Sequence, residues 1–206
     1  IGIVIPAAYI LLRYFTKNTI DSKDDLEKLS SAPIIGFIPN FSADSNRLVV
    51  FDKPRSQISE TFRSLRTNIK YILGEETNEG KIILITSSLP NEGKSLISVN
   101  VASIFAISGK KTLLIGYDLR KPALHKIFGL NATHGLTSYM VGRYELDDVL
   151  QATEFNNFDV LVAGPVPPNP SELIDSDKNR ALLKELRKRY DYIILDTPPV
   201  NLIADA

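Results

Sequence analysis

Cysteine is absent from the 206 residues, and histidine occurs only twice, as His125 and His134. With no cysteine there is no disulfide framework, and two histidines are too few for a zinc site of the usual spacing, so a reducing, cytosolic setting fits best. An excess of charge of either sign is also missing. Twenty-four basic residues balance 24 acidic ones, which leaves no global positive field to drive sequence-independent DNA binding, and nucleic acid is not expected as a partner. Internal repeats and low-complexity segments are lacking. The 44% apolar and 23% charged residues are those of an ordinary globular chain. They exclude disorder and a collagen-like structure and leave one core with an appendage as the expected organisation.

Methionine is nearly lacking too. Met140 is the only one and the sequence opens at Ile1, so it reads as a fragment or a processed product. Residues 1–12, IGIVIPAAYILL, are apolar throughout and are followed by Arg13 and Lys17. A bilayer span needs about 20 residues, so this stretch is too short alone; it reads as the last part of a transmembrane helix whose flanking cations mark the cytoplasmic side. Residues 1–15 are therefore expected to end a transmembrane helix, and residues 16–52 to form a cytoplasmic juxtamembrane connector. Within it Ser22 and Asp25 have capping-box spacing for a short helix, SSAPIIGFIPN reads as extended, and SADSN as a loop.

From Glu60 to Leu73 a helix is expected, with Phe62, Leu65, Ile69 and Leu73 on one face and Glu60, Arg63 and Arg66 on another. Residues three apart fall about 60° apart in projection, so these three make one polar stripe. Beyond Gly80 strands and helices alternate. Ile82–Ile85, Thr112–Ile115, Asp159–Val162 and Tyr192–Leu195 are apolar runs without period-2 alternation, as in parallel strands covered on both faces. Helices are expected over 96–107, 145–152 and 171–189. Such alternation implies right-handed crossovers and a doubly wound parallel sheet whose ligands sit at the carboxyl ends of the strands. The cations at Lys178, Arg180, Lys184, Arg187, Lys188 and Arg189 read as a solvated helix face, and His125 and His134 as loop or surface residues.

The chemistry concentrates at those strand ends. After the first strand, Gly93, Lys94 and Ser95 fit the last three positions of the phosphate-binding loop pattern, in which backbone amides approach phosphate, the lysine reaches the β and γ phosphates, and the hydroxyl binds magnesium. The first glycine of the pattern is replaced by Ser88. A Gly-Lys-Ser/Thr triplet arises by chance in about one chain in ten of this length, so its place between a buried strand and a buried helix carries the reading. Asn91 suits a left-handed turn in that loop. Asp196 ends the fourth strand, where it can face the magnesium shell opposite Ser95. Asp118 and Arg120, after the second strand, project toward the same crevice, where the acid could serve as base or outer metal ligand.

The segments TSSLPNEGKS, LLIGYDLRKP, PPNPSELI and IILDTPP, in this order and preceded by SETFRSLRTNI, resemble the bacterial tyrosine kinases fused to polysaccharide co-polymerases, the BY-kinases of exopolysaccharide and capsule export. The match runs from about Lys53 to the end. The connector DDLEKLSSAPIIGFIP also looks like the segment these proteins place before the kinase domain. The resemblance implies an α/β fold with a doubly wound, mostly parallel sheet, a P-loop NTPase of the MinD/BY-kinase kind truncated at its C-terminus, with residues 53–206 as an incomplete kinase domain. It implies ATP and Mg2+, and phosphorylation of tyrosines on a tyrosine-rich C-terminal tail outside this sequence, passed between neighbouring subunits of a homo-oligomeric ring. It further implies attachment to the bacterial inner (cytoplasmic) membrane through the N-terminal helix, this region lying on the cytoplasmic side, with the polysaccharide export machinery as partner.

Carried over residue by residue, the resemblance makes Lys94, Asp118, Arg120 and Asp196 catalytic. Asn91, Glu92, Gly93, Lys94, Ser95 and Leu96 would bind the nucleotide, and Ser95, Asp118 and Asp196 the metal. Glu60, Arg63 and Arg66 match the family's E-x-x-R-x-x-R oligomerisation motif. One departure stands out: Gly116 occupies a position where the family usually carries an aspartate assigned as base. Two other functions compete with the kinase. A MinD- or ParA-like ATPase would carry a signature lysine where this chain has Leu89. A non-catalytic, nucleotide-binding chain-length regulator is compatible with Gly116.

Overall fold

The computed structural model describes residues 23–40, 47–74 and 78–202, and the chain divides into two units, Ile1–Ile35 and Gly36–Ala206. In the first, helix α1 spans Lys23–Leu29, with Asp24 and Asp25 in the first turn, where the helix dipole favours acids. Ser22, the expected cap, and the apolar residues 1–15 lie outside the described residues. Among those described, no helix is long and apolar enough to cross a membrane.

The second unit runs α2 (Val49–Asp52), α3 (Gln57–Leu73), β1 (Lys81–Ile85), α4 (Lys94–Ile107), β2 (Thr112–Gly116), α5 (Leu124–Phe128), α6 (Leu136–Met140), α7 (Leu146–Val149), β3 (Gln151–Ala152), β4 (Phe158–Leu161), α8 (Pro170–Ile174), α9 (Asp177–Arg189) and β5 (Tyr192–Asp196). The sheet order is β1-β5-β2-β4-β3, parallel except for β3. Strands β2 and β5 are buried along their whole length, as their unbroken apolar sequence requires. Leu182 and Leu186 of α9 pack with Leu113, Ile115, Ile193 and Leu195 into a common core. Helix α4 is buried from Ser98 to Ala106, and its Phe105 stacks on Tyr192 with ring centroids 3.9 Å apart.

Helix α3 starts earlier than its periodicity shows, because the Ser56 hydroxyl caps it by accepting from the Ser59 N–H. Two helix expectations are corrected. Over 145–152 only α7 forms; Leu150 turns extended, and Gln151 and Ala152 pair antiparallel with Val160 and Asp159. Over 171–189 there are two helices, because Ser176 caps α9 by accepting from Asn179 N–H. The basic face of α9 is not simply solvated: Arg187 pairs with Glu79 at 2.9 Å and donates to the Gly80 carbonyl, and Arg189 pairs with Asp147 and Glu185. His125 lies within α5, and His134, half-buried, stacks on Tyr144.

The start of α9 is tied to the end of β2. Asn179 donates to the Ile174 carbonyl and accepts from the buried Tyr117 hydroxyl. Burial pushes the Tyr117 phenol from 10.0 to about 12, outweighing the opposite effect of its bond to Asn179. A raised folded-state value favours the neutral phenol, so the stability it contributes is complete below pH 10 and is lost as pH rises toward 12. At about 1.4 kcal/mol per unit this amounts to ~2–3 kcal/mol. Urea midpoints measured across that interval should fall, and Tyr117→Phe should fall less steeply.

Candidate active site

Residues 86–93 turn the chain from β1 into α4. Asn91 (φ 67°) and Gly93 (φ 84°) take the left-handed backbone that this turn requires. Glycine adopts it without strain and asparagine more readily than most. One carboxylate oxygen of Glu92 braces the turn, accepting from the backbone N–H of Ser88 at 2.9 Å and of Leu89 at 3.0 Å. This closure stands where the strict pattern has its first glycine. No side chain caps α4, which leaves the first-turn N–H groups of Lys94, Ser95 and Leu96, at the positive end of a 14-residue helix, to an anion.

At the carboxyl end of β5, the Asp196 side chain is buried and gathers three donors. The Lys94 ammonium donates to Oδ1 at 2.9 Å, the Ser95 hydroxyl to Oδ2 at 2.8 Å, and the Ser98 hydroxyl to Oδ1 at 3.1 Å. The Lys94 and Asp196 side chains are only 9% and 3% exposed, so each desolvated charge depends on the other. The Asp196 carbonyl accepts from Tyr117 and Asp118 N–H, which pins the end of β2 beside it. Gly116 is the register partner of Asp196 across β2 and β5, and a Cβ there would meet the Ala163 nitrogen at 3.2 Å.

This donor set fits a magnesium-bound nucleotide: hydroxyl and carboxylate oxygens suit a hard cation, and the loop amides and Lys94 suit phosphates. The structure thus brings Lys94, Ser95 and Asp196 together. Asp118, half-buried, does not join them by a side-chain hydrogen bond; its Oδ1 accepts from Arg120 N–H at 3.3 Å and Lys121 N–H at 2.9 Å, closing its own turn. Arg120 is exposed on that turn. Sequence reasoning missed Ser98, and it placed Glu92 among the nucleotide-binding residues without the bracing bonds of its carboxylate. The i, i+4 spacing of Ser98 from Lys94 places it one turn along the same face of α4 and could have flagged it.

The expected stripe on α3 is engaged within the subunit. Arg63 pairs with Glu60 at 2.5 Å and donates to the Pro54 carbonyl at 2.6 Å, and Arg66 donates to the Ile104 carbonyl at 3.2 Å. Both arginines are half-buried and Glu60 is exposed. A cavity of about 410 Å³ opens at the amino end of the strands, lined by Lys81, Lys111 and Arg187 among others; it contains none of the residues that gather around Asp196.

Residues 80–205 match a family model described as an AAA domain. The chain is 46% identical over 159 residues to a Staphylococcus aureus protein named "Putative tyrosine-protein kinase CapB", covering 77% of this chain and 69% of that protein. It is 42% identical over 159 residues to the tyrosine-protein kinase YwqD of Bacillus subtilis, covering 77% and 66%. The chain therefore spans about two thirds of the length of these relatives. The kinase domain of Escherichia coli tyrosine kinase ETK superposes with a TM-score of 0.83 at 33% identity, over 91% of this chain and 76% of that one.

The buried Lys94–Asp196 pair sets the terms for mutating it. Lys94→Met leaves a buried carboxylate without its cation and should cost ~3–5 kcal/mol in a urea or thermal melt, while Lys94→Met with Asp196→Asn should recover much of that loss. Equal, additive losses would show that the pair is not coupled. For the brace, Glu92→Ala should raise the nucleotide KM by roughly tenfold through loss of two charge-assisted hydrogen bonds, with Glu92→Gln intermediate and kcat little changed.

Proposed function

The chain belongs to the bacterial protein-tyrosine kinases, and from that premise we propose that residues 53–206 carry Mg2+–ATP on the loop 86–96 and pass its γ-phosphoryl group to tyrosine hydroxyls. The observation that carries this reading is the convergence of Lys94, Ser95 and Asp196 around the capless start of α4. The nucleotide supplies the transferable phosphoryl group and the metal neutralises its charge. The amides of Lys94, Ser95 and Leu96 would bind phosphate oxygens, the Lys94 ammonium would balance their charge, and Ser95 and Asp196 would hold the metal. Asp118 retains a second carboxylate oxygen beyond its own turn, and it is the acid nearest in sequence to the base position vacated at Gly116.

In this reading the protein is an autokinase that regulates polymerisation and export of an exopolysaccharide or capsule. It is anchored in the inner membrane by residues 1–15, connected by residues 16–52, and assembled as a ring through Glu60, Arg63 and Arg66. Its main substrate would be the tyrosine-rich tail of a neighbouring subunit. Gly116 favours one second reading, a regulator that binds nucleotide without transferring phosphate, because it leaves Asp196 without the paired acid beside it in register.

With γ-labelled ATP and Mg2+, label should appear on tyrosine; release of free phosphate instead would mark an ATPase of the MinD kind, and nucleotide binding with neither would mark the regulator. Asp118→Asn should lower transfer by about 10²-fold or more if it serves as base; unchanged turnover would make its role structural. Assembly is tested by sedimentation of the full-length protein: Arg63→Ala with Arg66→Ala should leave monomers, with melts run alongside because both arginines also bond within the subunit.

A further inference from the structure

We infer that Tyr71, on the last turn of α3, is an acceptor of phosphate from a neighbouring subunit's active site, an inference that rests on the kinase reading above. Transfer to a tyrosine requires a hydroxyl that solvent and a second molecule can reach and that is not committed to a bond of its own fold. Of the six tyrosines among the described residues, Tyr117 and Tyr192 are buried, the first bonded to Asn179 and the second stacked on Phe105. Tyr190 donates its hydroxyl to the Asp159 carboxylate at 2.7 Å, and burial and that carboxylate both push its phenol up. Tyr139 is half-buried with the Lys178 ammonium over its ring at 4.7 Å, and Tyr144, 43% exposed, has its ring held against His134. Tyr71 is 89% exposed.

Its setting suits entry into a cleft. The helix ends two residues later at Leu73, and Gly74 leaves it with φ 70°, so only the terminal turn must open for the side chain to extend, and terminal turns open at little cost. The following sequence, Gly74-Glu75-Glu76, is acidic, whereas the turn after β2 presents exposed Arg120 and Lys121, a complementary pairing of charge that guides encounter. In the transfer the Tyr71 oxygen forms the new bond to the γ-phosphorus of ATP, the bond from that phosphorus to the β,γ-bridging oxygen breaks, ADP leaves with the electron pair, and the phenolic proton passes to the base, Asp118 in the kinase reading, and from it to water. Phosphate on the last turn opposes the helix dipole, so the modified turn stays open.

The test mixes the active full-length protein, Mg2+ and ATP with a distinguishable acceptor bearing Lys94→Met and Asp196→Asn. Trypsin cleaving after Lys70 and Lys81 releases residues 71–81, in which Tyr71 is the only tyrosine. Mass spectrometry should find phosphate on that peptide of the acceptor at an occupancy about tenfold or more above the peptides holding Tyr117, Tyr190 and Tyr192, whose exposure requires wider unfolding. Tyr71→Phe should remove that label and leave labelling elsewhere intact. An unmodified 71–81 peptide alongside phosphate on other tyrosines, Tyr9, Tyr14 or the tail included, overturns this inference and leaves the kinase reading standing; no phosphotyrosine anywhere overturns both.

Discussion

The charge on the buried Asp196 side chain is the constraint on which the rest of the site depends. An ionised carboxylate at the end of a strand buried along its whole length is costly unless donors surround it. Lys94, Ser95 and Ser98 do so because their spacing puts all three on one side of the first turns of α4. The carbonyl of the same residue accepts the N–H groups of Tyr117 and Asp118, so the loop after β2 is fastened to the same point. Phosphate or metal bound here would engage the same groups that now satisfy Asp196, so binding would exchange partners among them.

Gly116 changes the electrostatics of that arrangement. It lies beside Asp196 in register, where an aspartate would set two carboxylates on neighbouring strands next to one lysine. Without a metal to share, two such acids repel and one tends to hold a proton. The glycine relieves that repulsion and leaves Lys94 matched by one acid.

Helix α3 serves the fold before it serves any assembly. Its apolar face buries Phe62, Leu65 and Ile69, and its arginines donate to the Pro54 and Ile104 carbonyls. Arg66 bonds to Ile104, whose carbonyl belongs to the last turn of α4, where no intrahelical donor is available and the dipole attracts a cation. Arg63 closes the turn at Pro54. A contact with a second subunit through this stripe would therefore engage Glu60 and the remaining donor capacity of the guanidinium groups, each of which carries five N–H donors.

The four parallel strands, the loop between β1 and α4 and the placing of Lys94, Ser95 and Asp196 at neighbouring strand ends were legible in the sequence, because apolar runs of strand length and a loop at a strand's carboxyl end are local patterns with local causes. The helix was legible from Glu60 to Leu73 for the same reason, in its 3.6-residue period, and its first turn from Gln57 was not. Other features were decided only by contacts distant in sequence. β3 pairs through a register with β4 that no local pattern encodes. Ser98 matters because β5 delivers Asp196 to it from 98 residues away. The arginines of α3 look free on a helical projection and are not, because the end of α4 lies against them. Asp118 was read from its place at a strand end, and the direction of its carboxylate was settled by the turn it closes. Periodicity and spacing report which face a residue occupies; what meets that face depends on how separate segments fold together.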